Sequence, residues 1–378
     1  MNLKKYICPE CGEKYPVTDW RYKCDCGSAL DLEKEVTFPR EKIMNRKPNL
    51  WRYREAIPIE KDKHIISFGE GMTPLVNWRH DNLELLLKLD YLFPTGSFKD
   101  RGASVLFSFL KEIGVNHFIE DSSGNAAAAA AAYAARGGLE CEIFCPDYTS
   151  SGKIAQVELF GARLNLIKGT REDTARAILN KAGNHYYASH NWNPFFMEGL
   201  KTVAFEIAEQ LGWMPPDNVI CPLGYGGLFL GLYTGFKEMK EQGIITKIPS
   251  LLGVQSEACA PVYRAIQKRA SVIEKCRQTN ATLAEGICAA LPIRPRKILQ
   301  ALEETDGTVT SVSEKEIMDG IKILAGNGLF VEPTSAAVVG AISHFRREKR
   351  INPGDKTVVI LTGTGLKTLK EITVPRSE

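Results

Sequence analysis

The feature that most constrains this chain is a repeated unit: a strand-like run, a loop of small residues, then a helical run. It occurs at His117 to Asp121, Ser122-Ser123-Gly124-Asn125 and the alanine-rich stretch from Ala126 to Arg136. It returns at Asn218 to Pro222, Gly224-Tyr225-Gly226-Gly227 and the run from Leu228 to Lys240. Further strands are expected at Leu83 to Leu89, Glu140 to Cys145, Arg163 to Ile167, Leu251 to Gln255 and Thr357 to Leu361. Such alternation leads to a mostly parallel sheet with helices on both faces. With 378 residues, 44% of them hydrophobic, two such domains are the natural expectation. No long linker separates them, so they are expected to pack across a cleft.

A small-residue loop between strand and helix leaves backbone N–H groups free at a helix N-terminus, which suits an anion. Upstream of both loops lies Pro94-Thr95-Gly96-Ser97-Phe98-Lys99-Asp100-Arg101, which passes from turn chemistry into a helical pattern at Ala103, Leu106, Phe107 and Leu110. Lys99 is thereby expected in the first turn of a helix. The partial positive charge there, with any desolvation, would lower the pKa of the amine and make it a better nucleophile toward carbonyl carbon. Taken alone, the same stretch reads first as a capped helix with solvated Lys99, Asp100 and Arg101. The two downstream loops favour the chemical reading.

Composition narrows the partners. Net charge is +3 and no basic block stands out, so no nucleic-acid partner is expected. No apolar run reaches membrane length, and Met1 to Lys5 leads into Tyr6 and Cys8 without a signal-like core. A cytoplasmic enzyme that does not enter membranes is the expectation. Of the ten cysteines, Cys8, Cys11, Cys24 and Cys26 cluster at the start, and the scattered remainder reads as buried thiols. The cluster forms two knuckles, each followed by a glycine, and four thiolates at this spacing suit a closed tetrahedral zinc site. The second knuckle is Cys-x-Cys and not Cys-x-x-Cys, and disulfide pairing is the competing reading. Residues 36 to 64 are charged and punctuated by proline, with Trp51, Tyr53 and Ile57 as apolar anchors of a wrapping segment.

With those residues in view, the chain resembles the fold-type II pyridoxal-phosphate enzymes and, among them, the threonine synthase family. Gly69-Glu70-Gly71-Met72-Thr73-Pro74-Leu75, the Lys99 segment, Ser122 to Asn125, Glu332-Pro333-Thr334-Ser335-Ala336-Ala337 and Leu361-Thr362-Gly363-Thr364-Gly365-Leu366-Lys367 occur in family order. The resemblance implies an α/β fold of two doubly wound domains like the tryptophan synthase β-subunit, plus a small N-terminal zinc knuckle. The expected division is a zinc-ribbon-like head at 1–35, a large cofactor-binding domain at 36–90 and 190–378, and a smaller mobile domain at 91–189. It also implies pyridoxal 5'-phosphate and a structural zinc as cofactors, an amino acid as substrate and a homodimer.

By the same resemblance, Lys99 forms the Schiff base with the cofactor and later moves protons. Phe98, Asn125, Gly224, Tyr225, Gly226, Gly227, Leu228 and Thr362 complete the cofactor site. The three glycines hold the phosphate, Asn125 the ring hydroxyl and Thr362 the ring nitrogen. Ser122, Ser123, Gly124, Asn125 and Ala126 grip the substrate carboxylate, and Lys153 and Phe196 stand near its distal end.

Departures from the family pattern bear on the substrate. Phe93 replaces an Asn before the Pro94-Thr95-Gly96-Ser97 motif, and Tyr225 and Leu228 replace two asparagines of the glycine loop. Phe196 stands in Asn193-Pro194-Phe195-Phe196-Met197-Glu198-Gly199, where many members carry an Arg expected to hold the substrate phosphate. Losing such a guanidinium leaves a phosphate poorly matched. The nominal reaction is O-phosphohomoserine plus water to threonine plus phosphate. The alternative is β-elimination or β-replacement on a serine-, threonine- or phosphoserine-like substrate, and a non-catalytic paralogue is the remaining reading.

Overall fold

The computed structural model describes residues 5–149, 151–169 and 171–369, without the side chains of residues 151–153 and 171–172. The chain divides into two compact units, Met1–Met72 with Phe93–Thr202, and Thr73–Leu92 with Val203–Glu378. Each is built on its own mostly parallel sheet.

The first unit carries a four-stranded parallel sheet in the order Arg163–Ile167, Glu140–Pro146, His117–Asp121, Tyr186–Tyr187. The helices Lys99–Glu112 and Asn125–Gly137 pack beside it. Ala126 to Ala132 are all buried. Small side chains on every side let this helix lie close to its neighbours, and alanine carries almost no side-chain entropy cost. At the head, Lys14–Pro16, Lys5–Ile7 and Asp31–Glu33 form a small antiparallel sheet. Its Tyr6 is fully buried, edge-on to Phe195 at 6.3 Å between ring centroids.

The boundaries differ from those expected from the sequence. Residues 36–72 and 190–202 belong with the first unit, not with the large domain. The reason is hydrogen bonding to the Lys99 helix. Trp51 Nε1 donates to Ser104 Oγ at 3.0 Å, Ser104 Oγ donates to the Ile66 carbonyl at 2.8 Å, and Ile66 N–H donates to Ser108 Oγ at 2.8 Å. The wrapping segment is thus stitched along one face of that helix. Leu50–Ala56 within it is a 3₁₀ helix started by the Asn49 side chain.

The helix Pro194–Leu200 packs against the Lys99 helix through two glycines. A Cβ at Gly199 would stand 2.0 Å from the Arg101 carbonyl oxygen, and one at Gly102 would stand 2.3 Å from the Phe196 ring. Only hydrogen side chains permit that approach.

The second unit carries six strands in the order Thr308–Val312, Ser250–Ser256, Asn218–Pro222, Thr357–Leu361, Leu83–Leu89, Leu75–His80. All neighbours are parallel except the edge pair Leu75–His80 with Leu83–Leu89. Central strands such as Asn218–Pro222 and Thr357–Leu361 are buried throughout, as expected for a sheet covered on both faces. No described helix is long and apolar enough to cross a membrane.

Candidate active site

Lys99 is the first residue of its helix and is half-buried. Its Nζ lies 4.9 Å from the centroid of the Phe98 ring and 5.7 Å from that of Phe196. Asp100 and Arg101 are not solvated. Both are fully buried, and they lock the turn that presents Lys99. Asp100 accepts from Thr95 N–H at 2.9 Å and from the Thr95 hydroxyl. Arg101 donates to Thr202 Oγ1 at 3.1 Å and stacks its guanidinium 4.8 Å from the Phe93 ring centroid. Phe93 therefore has a structural task, packing beneath a buried cation.

The turn Ser122-Ser123-Gly124 follows the strand His117–Asp121, and Asn125 opens the next helix. Gly124, at its N-cap, offers no side-chain cap. Ser122 Oγ accepts from Gly124 N–H at 3.3 Å. Ser122 to Asn125 are half-buried and Ala126 is buried, so the N–H groups at this helix start are placed for a carboxylate. The Lys153 side chain lies outside the described residues.

Two acidic residues unremarked in the sequence end the same strand. Glu120 is 1% exposed, and its Oε1 lies 2.5 Å from His190 Nδ1. Burial pushes the Glu120 carboxyl up to about 8, against the pull of a His190 backbone hydrogen bond and of Lys99. Burial also brings His190 down to about 3, reinforced by the Lys99 charge. Both partners are thus driven toward their neutral forms. Asp121 is raised to about 7 by burial and by Glu120, while it accepts from Tyr187 OH at 2.5 Å. The His190 ring meets Phe196 edge-on at 5.9 Å. Phe196 itself is 2% exposed. The signal was present in the sequence: an acidic pair at the C-terminal end of a parallel strand, where such folds bind ligands.

In the second unit, Gly226 takes φ +94° at the N-cap of the helix Gly227–Glu241, with no side-chain cap. A left-handed residue here turns successive N–H groups outward, which fits a phosphate. A Cβ at Gly224 would approach the Gly286 carbonyl oxygen to 2.7 Å, so this loop admits no larger residue there. Tyr225 is exposed and Leu228 buried. Thr362 follows the strand Thr357–Leu361 directly and is buried. Its Oγ1 lies 2.9 Å from Ser335 Oγ, which in turn accepts from Thr362 N–H at 2.7 Å and Gly363 N–H at 2.8 Å. Ser335 is a positioning residue for Thr362, a part that the Glu332-to-Ala337 motif did not disclose by itself.

In the head, the sulfur atoms of Cys8, Cys11, Cys24 and Cys26 all lie within 4.8 Å of one another. Cys8 and Cys26 are 3.5 Å apart, as are Cys11 and Cys24. Four sulfurs at about 2.3 Å from one ion would stand roughly 3.8 Å apart. The set fits a tetrahedral metal and contains no disulfide.

Similarity to known proteins extends over most of the chain. The profile of the family described as pyridoxal-phosphate dependent enzyme matches residues 66–363. The threonine synthase of Methanocaldococcus jannaschii is 36% identical over 375 residues, 95% of this chain and 92% of that protein. That of Methanosarcina acetivorans is 33% identical, over 95% of this chain and 91% of that protein. Among solved structures, a threonine deaminase of T.th. aligns with TM-score 0.65 at 28% identity, covering 78% of this chain and 92% of that one. A fungal L-serine ammonia-lyase from Rhizomucor miehei aligns with TM-score 0.68 at 22% identity, covering 80% and 96%. The latter speaks to the fold alone, and that fold is the fold-type II α/β architecture.

Proposed function

The chain belongs to the pyridoxal-phosphate dependent enzyme family, and from that premise we propose elimination or replacement at the side chain of an amino acid, with Lys99 as the cofactor-binding lysine. The observation that carries this reading is the Lys99 turn. Its amine is half-buried between two aromatic rings and is fixed by the buried Asp100 and Arg101.

Pyridoxal phosphate, when bound, supplies an electron sink for the bonds at the substrate Cα. The chain's own residues do the rest. Gly224, Tyr225, Gly226, Gly227 and Leu228 hold the phosphate with backbone N–H groups. Asn125 and Thr362 orient the ring, and Phe98 shields it from water. Ser122 to Ala126 hold the substrate carboxylate. The Nζ of Lys99 takes the proton from the substrate Cα and returns it. Cys8, Cys11, Cys24 and Cys26 hold a structural zinc, with no position left open for catalysis.

The threonine synthase relatives support O-phosphohomoserine and water as reactants, giving threonine and phosphate. The location of Phe196 favours a second reading, β-elimination or β-replacement on a serine-, threonine- or phosphoserine-like substrate. A screen that follows phosphate, ammonia, 2-oxo acid and amino-acid products together tests both. Threonine with phosphate supports the first, 2-oxo acid with ammonia the second, and no product from any amino acid refutes the proposal. The resemblance also carries a homodimer, which light scattering of the purified protein tests.

A further inference from the structure

The pair Glu120–His190 has no part in the roles above, yet it lies beside the proposed reacting amine. Three observations place it. Glu120 is the penultimate residue of the strand that runs directly into the Ser122 to Asn125 turn, so a substrate held there by its carboxylate starts close to this carboxyl. The Phe196 ring is common to both neighbourhoods, 5.7 Å from Lys99 Nζ and 5.9 Å from the His190 ring. And Glu120, 1% exposed, leaves its Oε2 buried with no hydrogen-bond partner among the described residues. A buried polar oxygen left unmatched within the protein calls for a partner from outside the chain, such as a ligand or an ordered water.

We propose that Glu120 and His190 form the subsite for the distal end of the substrate side chain, and that it takes a hydroxyl and not a phosphate. The inference rests on Lys99 being the cofactor lysine, as above, and narrows that reading to a substrate class. Charge decides the class. A phosphate dianion would have to shed its hydration where the Phe196 ring and the neutral Glu120–His190 pair offer no countercharge. An ammonium group would stand beside the Lys99 amine, whose charge already disfavours a cation at His190. An uncharged hydroxyl meets neither penalty, and it can donate to Glu120 Oε2 or accept from it, as the carboxyl's proton allows. Phe196 then seals the subsite from water, and Tyr187 holds Asp121 aside through its hydroxyl.

The test uses holoenzyme loaded with pyridoxal phosphate. Its visible spectrum is titrated with L-serine, L-threonine and L-homoserine, then with O-phospho-L-serine, O-phospho-L-homoserine and L-2,3-diaminopropionate, and products are measured for each. The best hydroxyl substrate should exceed every phosphorylated or diamino compound by at least tenfold in kcat/KM and in spectral affinity. Glu120→Leu, which can neither donate nor accept, should lower kcat/KM for that substrate by about tenfold, the loss of one well-made hydrogen bond. It should spare or improve the phosphorylated compounds, whereas a merely structural fault would lower all of them together. A tenfold preference of wild-type enzyme for a phosphorylated or diamino substrate overturns the inference and leaves the cofactor assignment standing. Protein that binds no pyridoxal phosphate, or binds it without Lys99, overturns both. If Glu120→Leu fails to fold, the wild-type preference alone decides.

Discussion

Replacing Lys88 by Met should destabilise the second unit by about 3–5 kcal/mol, the usual cost of breaking a buried ion pair by removing one partner. Lys88 is fully buried on the strand Leu83–Leu89. Its ammonium donates to Glu206 Oε2 at 2.7 Å, the Thr73 carbonyl at 2.7 Å and Gln210 Oε1 at 2.9 Å. All three of its protons are therefore matched. Glu206 is fully buried as well, so the substitution strips a countercharge from a carboxylate that water does not reach. Thr73 keeps a donor in Gln210 Nε2 at 2.9 Å, which limits the loss to the ionic partner and the Gln210 oxygen. Because the cost lies in the uncompensated charge, Lys88→Met with Glu206→Met should recover most of it, giving a coupling of about 2 kcal/mol or more between the sites. Urea unfolding of the four proteins of the cycle measures the coupling, and hydrogen exchange along Leu83–Leu89 localises it. A single variant within about 1 kcal/mol of wild type, or a double variant that merely sums the singles, would refute the reasoning.

Lys99→Ala should abolish the protein-bound visible absorption and borohydride trapping while leaving the thermal unfolding profile nearly unchanged; full turnover with trapping at another lysine contradicts the assignment. Cys8→Ser with Cys11→Ser should release one zinc per chain and lower the melting temperature, and metal analysis of reduced, purified protein that finds no zinc in the wild type removes the basis for this. Gly199→Ala should cost about 1–3 kcal/mol, because its Cβ meets a backbone carbonyl that cannot yield as a side chain can; a denaturation midpoint equal to wild type contradicts it. The Glu120–His190 pair predicts stability lost in both pH directions. Glu120, raised from 4.5 to about 8, contributes stability that is complete below its unfolded pKa and is lost as pH rises through 8. His190, lowered from 6.5 to about 3, contributes stability present above 6.5 and lost as pH falls toward 3. Melting curves across pH should show Glu120→Gln flattening the alkaline limb only, and an alkaline limb identical to wild type counts against the buried neutral carboxyl.

Much of the frame was legible because it rests on short-range physics. The strands and helices around the Ser122 and Gly224 loops follow from hydrophobic period and from glycine at a turn with φ +94°. The cysteine cluster follows from knuckle spacing, which brings Cys8 and Cys11, and Cys24 and Cys26, onto tight turns. Lys99 at a helix start follows from the turn residues before it. Each of these is decided within a few residues of chain.

Tertiary structure decided what lies across the chain from each of those residues. Sequence period puts Lys88 on the same face of its strand as the exposed Glu84. Only the helix that carries Glu206 and Gln210, some 120 positions later, turns that end of the face into a buried site. Asp100 and Arg101 read as solvated charges, and it is Thr95, Thr202 and the Phe93 ring that permit their burial. The segment 36–72 reads as part of the large domain until Trp51 and Ile66 meet Ser104 and Ser108. Glu120 and His190, 70 residues apart, illustrate the same limit. The desolvation that neutralises both depends on a closed environment, and local sequence carries propensity and spacing but not the dielectric that a residue will meet.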